Sequence, residues 1–220
     1  MAGNYGLIIF DVDGTFYKFR QRVKDGDRIV LPIRNEVIER GIDFIAKRLY
    51  VSVEAAARIS RDCIDQYGSV GLGLERAHGV NRQDYINAAW NVDPSKYIDK
   101  DERLRELILG IEPKKAVLTA SPSVWIKNVL NLLDVGDVFD GYWFGDDEET
   151  KKPNTGAYTQ ILDAFGMPAE QTLIVDDEIK NLMPAKELGM TTVLVGDETG
   201  CADYNIGSVH EFPELLRRLS

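Results

Sequence analysis

Near the start of the chain, Asp11-Val12-Asp13-Gly14-Thr15 sets two carboxylates two positions apart, directly after the apolar run Leu7-Ile8-Ile9-Phe10. If that run is a strand, both carboxylates leave the sheet edge together, and Gly14 permits the tight backbone excursion that separates their surroundings. A second acidic pair, Asp176-Asp177, follows the run Leu173-Ile174-Val175. Hard oxygen ligands converging from two strand ends are what Mg2+ requires, and the ion would relieve repulsion among the carboxylates. Thr119 closes a further apolar run with a hydroxyl and neighbouring backbone N–H groups, and Lys151-Lys152-Pro153 could bring an ammonium against the same charge. The chemistry in view is that of a phosphate-like anion handled beside a cation. Each group also has a plainer reading: a glycine turn, a capped helix start, a strand-end threonine and a solvated basic pair.

Five short apolar runs, 7–10, 116–118, 142–144, 173–175 and 192–195, read as buried parallel strands. Helical patterns at 124–133, 157–165 and 179–188 lie after or between the later runs, with Pro near one start and Gly past two ends. This alternation predicts an α/β fold, a doubly wound parallel sheet with ligands at the carboxyl ends of its strands. About a hundred residues separate the first two strands, far more than the dozen or so a crossover needs. An all-helical cap at 16–93 is therefore expected as an insertion, leaving 1–15 and 94–220 as the core. Its helices are expected at 34–49, 53–67 and 82–90, closed by the Asp93-Pro94 break, with a hairpin at 23–30 around Asp25-Gly26. Residues 101–109 should form a core helix leading into the second strand.

The formal net charge of −10 opposes binding to a nucleic acid polymer. A small phosphorylated substrate is compatible with it if a divalent cation stands between carboxylates and phosphate. No apolar stretch reaches the roughly 20 residues that cross a bilayer, and residues 1–5 lack signal-peptide features, so no membrane association and a cytoplasmic location are expected. Cys63 and Cys201 lack the spacing of a zinc site and read as reduced packing thiols. Trp90, Trp125 and Trp143 read as packing residues, His78 as structural, and the acidic run Asp146 to Glu149 as a solvated loop.

In order and spacing the motifs at Asp11 to Thr15, Thr119, Lys152-Pro153 and Asp176-Asp177 resemble those of the haloacid dehalogenase superfamily phosphatases. The resemblance implies Mg2+-dependent hydrolysis of a phosphomonoester. Asp11 would be the nucleophile, forming an aspartyl phosphate, and Asp13 the acid and then the base. Thr119 and Lys152 would hold the phosphoryl group, with Lys152 chosen over Lys151 because the family's Lys directly precedes Pro. Asp177 and Asp11 would ligate the metal directly and Asp13 through its carbonyl, with Asp176 a water-mediated or occasional ligand. Ala120 stands where the family often has Asn, so a secondary contact is absent or supplied elsewhere.

In the helical segment, Tyr67-Gly68-Ser69-Val70-Gly71-Leu72 with His78, Val80-Asn81 and Tyr85 is similar to the pyrimidine 5'-nucleotidase branch. That similarity implies a nucleoside 5'-monophosphate substrate touched by Tyr67 and Gly68, with 67–72 as the contacting loop. The alternatives are a Gly-rich helix connection there, a sugar-phosphate or phosphoglycolate-type phosphatase, and a catalytically silent binding protein of the same fold.

Overall fold

The computed structural model describes residues 5–21, 23–25, 28–147, 150–196 and 200–219. The contacts divide it into two compact units, Met1–Phe19 with Ile98–Ser220, and Arg20–Tyr97.

The first unit is built on a six-stranded parallel sheet. Its strands are β1 (Leu7–Phe10), β4 (Lys114–Leu118), β5 (Gly141–Trp143), β6 (Thr172–Asp176), β7 (Thr191–Val195) and β8 (Tyr204–Ile206), arranged β5-β4-β1-β6-β7-β8. All four residues of β1 and all five of β6 are buried, as a strand covered on both faces requires. The chain runs outward from β1 through β4 to β5, then returns to β6 on the other side of β1. That reversal opens a crevice beyond the carboxyl ends of β1, β4 and β6. Helices α6 (Ser123–Leu132), α7 (Thr155–Phe165) and α8 (Ile179–Glu187) follow β4, β5 and β6. Under the sheet, Phe10 meets Phe16 at 5.5 Å and Phe212 at 5.3 Å.

Two elements of this unit, β8 and the terminal helix α9 (Phe212–Leu219), were not expected from the sequence. Another element is shorter than expected: α5 spans Leu104–Leu109 rather than 101–109. Asp101 is drawn out of the helix because its carboxylate accepts from the Arg103 N–H at 3.0 Å and pairs with His210 at 2.6 Å.

The second unit holds α1 (Arg34–Leu49), α2 (Val53–Tyr67), α3 (Val70–His78) and α4 (Arg82–Trp90), with the antiparallel pair β2 (Val23–Asp25) and β3 (Arg28–Val30). Gly26 of the expected hairpin, and Glu148 and Glu149 of the acidic run, lie outside the described residues. Side-chain caps set three of the helix starts. Ser52 accepts from the Ala55 N–H, Ser69 from the Leu72 N–H and Asn81 from the N–H groups of Gln83 and Asp84.

The capping by Ser69 corrects one expectation. Residues 67–72 are not an open loop, because Tyr67 ends α2, Val70 begins α3, and only Gly68 and Ser69 connect them. Gly73 lets α3 pass so close to α2 that an added Cβ would overlap Cys63. Cys63 is thus a packing thiol, whereas Cys201, expected to be one, is exposed.

The units divide at 19/20 and 97/98 rather than at 15/16 and 93/94, for physical reasons at both ends. Phe16 and Tyr17 are buried with the first unit. Lys96 and Tyr97 bind Glu36 of α1 at 3.1 and 2.8 Å. No helix among the described residues is long and apolar enough to cross a membrane.

Asp203, just before β8, accepts from the Thr192 N–H at 2.9 Å, the Thr192 hydroxyl at 2.8 Å and Lys186 at 2.6 Å. Burial works against its ionised form, but Lys186 and Thr192 outweigh it and hold the carboxyl below its usual range. Asp203→Ala should lower stability by about 1–3 kcal/mol at pH 7, since Thr192 is buried and loses partners, while the exposed Lys186 adds little. A group whose folded pKa is depressed stabilises above its unfolded value. The gap between wild type and variant in urea midpoints should therefore persist above about pH 4 and close as the pH falls through the lower folded value. A gap that widens on acidification would refute this.

Candidate active site

Three neighbouring strands deliver the groups singled out in the sequence. Asp11 follows β1, Thr119 follows β4, and Asp176 ends β6 with Asp177 next. Register places Phe10 beside both Val117 and Val175, so these groups emerge at one edge of the sheet. Lys152 arrives from the loop between β5 and α7 and is 2% exposed, which separates it from the half-buried Lys151.

The Lys152 ammonium bridges Asp11 Oδ1 at 2.5 Å and Asp176 Oδ2 at 2.6 Å. Asp11 Oδ2 accepts from the Thr15 hydroxyl at 3.2 Å. Asp176 Oδ1 accepts from the Glu178 N–H at 2.9 Å and the Asn181 amide at 3.0 Å. Both oxygens of Asp176 are thus engaged in holding Lys152 and the start of α8. Burial would lower the Lys152 pKa, but the two carboxylates outweigh it and raise it, so the side chain stays an ammonium.

One ammonium does not neutralise the carboxylates around it. Burial raises the Asp11 carboxyl well above its usual range; Lys152 opposes the rise, while Asp176, Asp177 and Asp13 add to it. Burial, reinforced by Asp176, pushes half-buried Asp177 up to about 7. A carboxylate oxygen from each of Asp11, Asp176 and Asp177 lies within 4.8 Å of the others. A hard, all-oxygen donor set carrying uncompensated negative charge fits a hard divalent cation. Gly14 serves this cluster by its conformation. Its φ of +84° is one that L side chains rarely adopt, and an added Cβ would overlap the Asp177 carboxylate.

Asp13 faces a separate set of partners. Its carboxylate accepts from the Tyr17 hydroxyl, the Ser121 hydroxyl and the Trp125 indole N–H, the last at 3.0 Å. Burial, followed by the Asp13 charge, raises the Tyr17 pKa well above the usual phenol value, so Tyr17 serves as a donor. These three contacts did not emerge from the sequence reading. Ser121 precedes the N-cap of α6, which is Pro122, and Asp146 accepts from the Ser123 N–H at 3.0 Å. Trp125 was read as packing, and it is fully buried but also a donor to Asp13. No local rule marks these contacts, since Ser121 lies ahead of the N-cap of α6 and residues 13–17 form a turn rather than a helix.

Thr119 is buried, its hydroxyl accepting from the Ser121 N–H at 3.1 Å. Ala120 is exposed. Half-buried Tyr67, exposed Gly68 and exposed His78 belong to the helical unit.

The profile described as haloacid dehalogenase-like hydrolase matches residues 82–195 of the 220, just over half of the chain. The chain is 27% identical to the glyceraldehyde 3-phosphate phosphatase of Methanocaldococcus jannaschii over 96% of its own length and 97% of that protein. Among solved structures, a 2-haloacid dehalogenase from Pseudomonas syringae pv. Tomato superposes with a TM-score of 0.64 at 16% identity, covering 98% of this chain and all (100%) of the other. A HAD phosphatase from Thermococcus onnurineus gives 0.60 at 19% identity, covering 95% and 96%. At these identities the two structures share the fold.

Removing Lys152 should expose how strained this carboxylate cluster is. In chelator-treated protein, Lys152→Met should lower stability by about 3–5 kcal/mol, because it strands buried charge. Adding Asp176→Asn should return part of that loss, as a coupled pair requires. Strictly additive losses in urea denaturation would show that the two residues act independently.

Proposed function

The chain belongs to the haloacid dehalogenase-like hydrolases and is an enzyme of the phosphatase kind, and from that premise we propose that it hydrolyses a small phosphomonoester through a phosphorylated Asp11, with Mg2+ as cofactor. The observation that carries this reading is the division of one motif into two environments. Asp11 sits against the buried ammonium of Lys152, while Asp13, two residues on, accepts from neutral donors alone among the described residues. Paired carboxylates held in unlike surroundings are suited to unlike roles.

In the first step an Asp11 oxygen bonds to phosphorus as the bond to the leaving oxygen breaks, and Asp13 gives that oxygen its proton. In the second, Asp13 takes a proton from water as the water oxygen bonds to phosphorus, and the bond to Asp11 breaks to free phosphate. Lys152 stays in place through both steps and offsets charge on Asp11 and the phosphoryl group. Thr119, with the backbone N–H groups beyond β4, holds the non-bridging oxygens. Mg2+, which Asp11, Asp177 and the Asp13 carbonyl would hold with Asp176 behind them, supplies charge neutralisation between carboxylates and phosphate. A halide would leave without a proton, so the dehalogenase chemistry of a structural neighbour would give Asp13 no task.

The helical unit takes the part of the cap, with selection of the leaving group as its task. A small sugar phosphate is the preferred substrate, because a relative that matches along nearly the whole chain is a glyceraldehyde 3-phosphate phosphatase. A nucleoside 5'-monophosphate is the second candidate, on the similarity of the segment around Tyr67 to Tyr85, although most of 67–72 is helix rather than an open contacting loop.

A panel of sugar phosphates, nucleoside 5'-monophosphates and p-nitrophenyl phosphate should show Mg2+-dependent turnover that chelator removes and added Mg2+ restores. Asp11→Asn should reduce it by about 10³-fold or more while the circular dichroism spectrum is retained. Undiminished turnover by that variant would overturn the mechanism, and a preference for nucleotides over every sugar phosphate would overturn the substrate class alone.

A further inference from the structure

The two oxygens of the Asp13 carboxylate are not equivalent. Oδ1 accepts from both the Tyr17 hydroxyl and the Trp125 indole N–H, the second at 3.0 Å. Oδ2 accepts from the Ser121 hydroxyl. A carboxylate oxygen offers two lone-pair positions, so among the described residues Oδ1 is filled and Oδ2 keeps one open. The indole N–H can only donate, and burial fixes its aim, since Trp125 is fully buried at the first turns of α6. The Ser121 hydroxyl is half-buried and can rotate, so it can accompany Oδ2 in either protonation state.

We infer that Tyr17, Trp125 and Ser121 are positioning residues that anchor Asp13 by Oδ1 and leave Oδ2 as the oxygen that gives and retakes the proton. The inference rests on the acid and base role proposed above for Asp13. In balance, the Oδ2 proton passes to the leaving oxygen as its bond to phosphorus breaks. Oδ2 then takes a proton from the water whose oxygen bonds to phosphorus as the bond to Asp11 breaks. The net change is ester and water to alcohol and phosphate. A swinging carboxylate would have to find the leaving oxygen in each turnover, whereas a carboxylate pinned through Oδ1 already points its free position one way.

Such a role predicts a loss that depends on the leaving group. An alkoxide needs a proton to depart, while p-nitrophenolate leaves as a stable anion. The experiment uses Tyr17→Phe, Trp125→Phe and Ser121→Ala, with Ser121→Thr as the variant that keeps a hydroxyl. Each is assayed with Mg2+ on the fastest alkyl phosphomonoester of the panel and on p-nitrophenyl phosphate. The quantity read is kcat/KM, which covers only the steps through departure of the leaving group. For Trp125→Phe and Ser121→Ala the alkyl-to-aryl ratio of kcat/KM should fall about 10-fold or more, within the range a positioned acid contributes. Ser121→Thr should recover most of the ratio. Because water attack still needs the base, the same variants should show a burst of p-nitrophenol before a slower steady rate. Equal losses on both esters in folded protein, or no loss on either, would overturn the inference and leave these residues a packing role. Asp13→Asn separates the two levels: if it retains full alkyl turnover, the acid and base reading of Asp13 itself has failed, whatever the other variants do.

Discussion

A single buried ammonium between two carboxylates is the contact on which the rest of this site depends. Lys152 is 2% exposed and lies within 2.6 Å of Asp11 and Asp176. Taking three charges out of water is expensive, and their attraction repays it only when the remaining polar atoms are satisfied. The surroundings answer that demand: Thr15 donates to Asp11, while the Glu178 backbone and Asn181 donate to Asp176. Even so, Lys152, joined at Asp177 by Lys18, leaves Asp11, Asp176 and Asp177 with negative charge in excess. The residual negative charge on these hard oxygen donors suits a divalent cation.

The same motif must also keep its second carboxylate out of this cluster. Asp13 would add to the repulsion if it turned inward, and it is drawn aside by three neutral donors from two other parts of the chain. Tyr17 comes from the segment after β1, and Ser121 and Trp125 from the start of α6. The reversal of strand order at β1 puts these donors within reach, since β4 and the helix that follows it lie directly beside β1. Fold topology and division of chemical labour are therefore one arrangement.

Much of this is legible in the sequence where a local rule and a global demand agree. The helices Arg34–Leu49, Val53–Tyr67 and Arg82–Trp90 stand where the helical pattern puts them, the last two with side-chain caps at Ser52 and Asn81. The central strands are apolar runs because both faces are covered. Asp11, Thr119 and the Asp176-Asp177 pair can be picked out because they end such runs. Features decided by partners distant in sequence are not legible in this way. The strand β8 is short and carries an exposed residue, so no apolar run marks it. The helix α5 loses its first residues to His210, more than a hundred positions away. Ser69 looks like part of a flexible glycine-rich stretch until its hydroxyl is seen to start a helix. Trp125 reads as a packing residue and Ser121 draws no notice, because nothing near them in sequence shows that Asp13 lies opposite.

The backbone at Gly14 has a bearing on how relatives of this chain are sorted. Its left-handed conformation and the Asp177 carboxylate pressed against it leave no room for even one methyl group. A gene copy carrying alanine there would keep every acidic and basic side chain, and the same net charge, while losing the geometry that sets Asp177 beside Asp11. Surveys that grade duplicated genes as active or decayed by tallying their aspartates would pass such a copy as intact. In this lineage the more telling mark of a retired enzyme is the loss of an uncharged residue that touches no substrate.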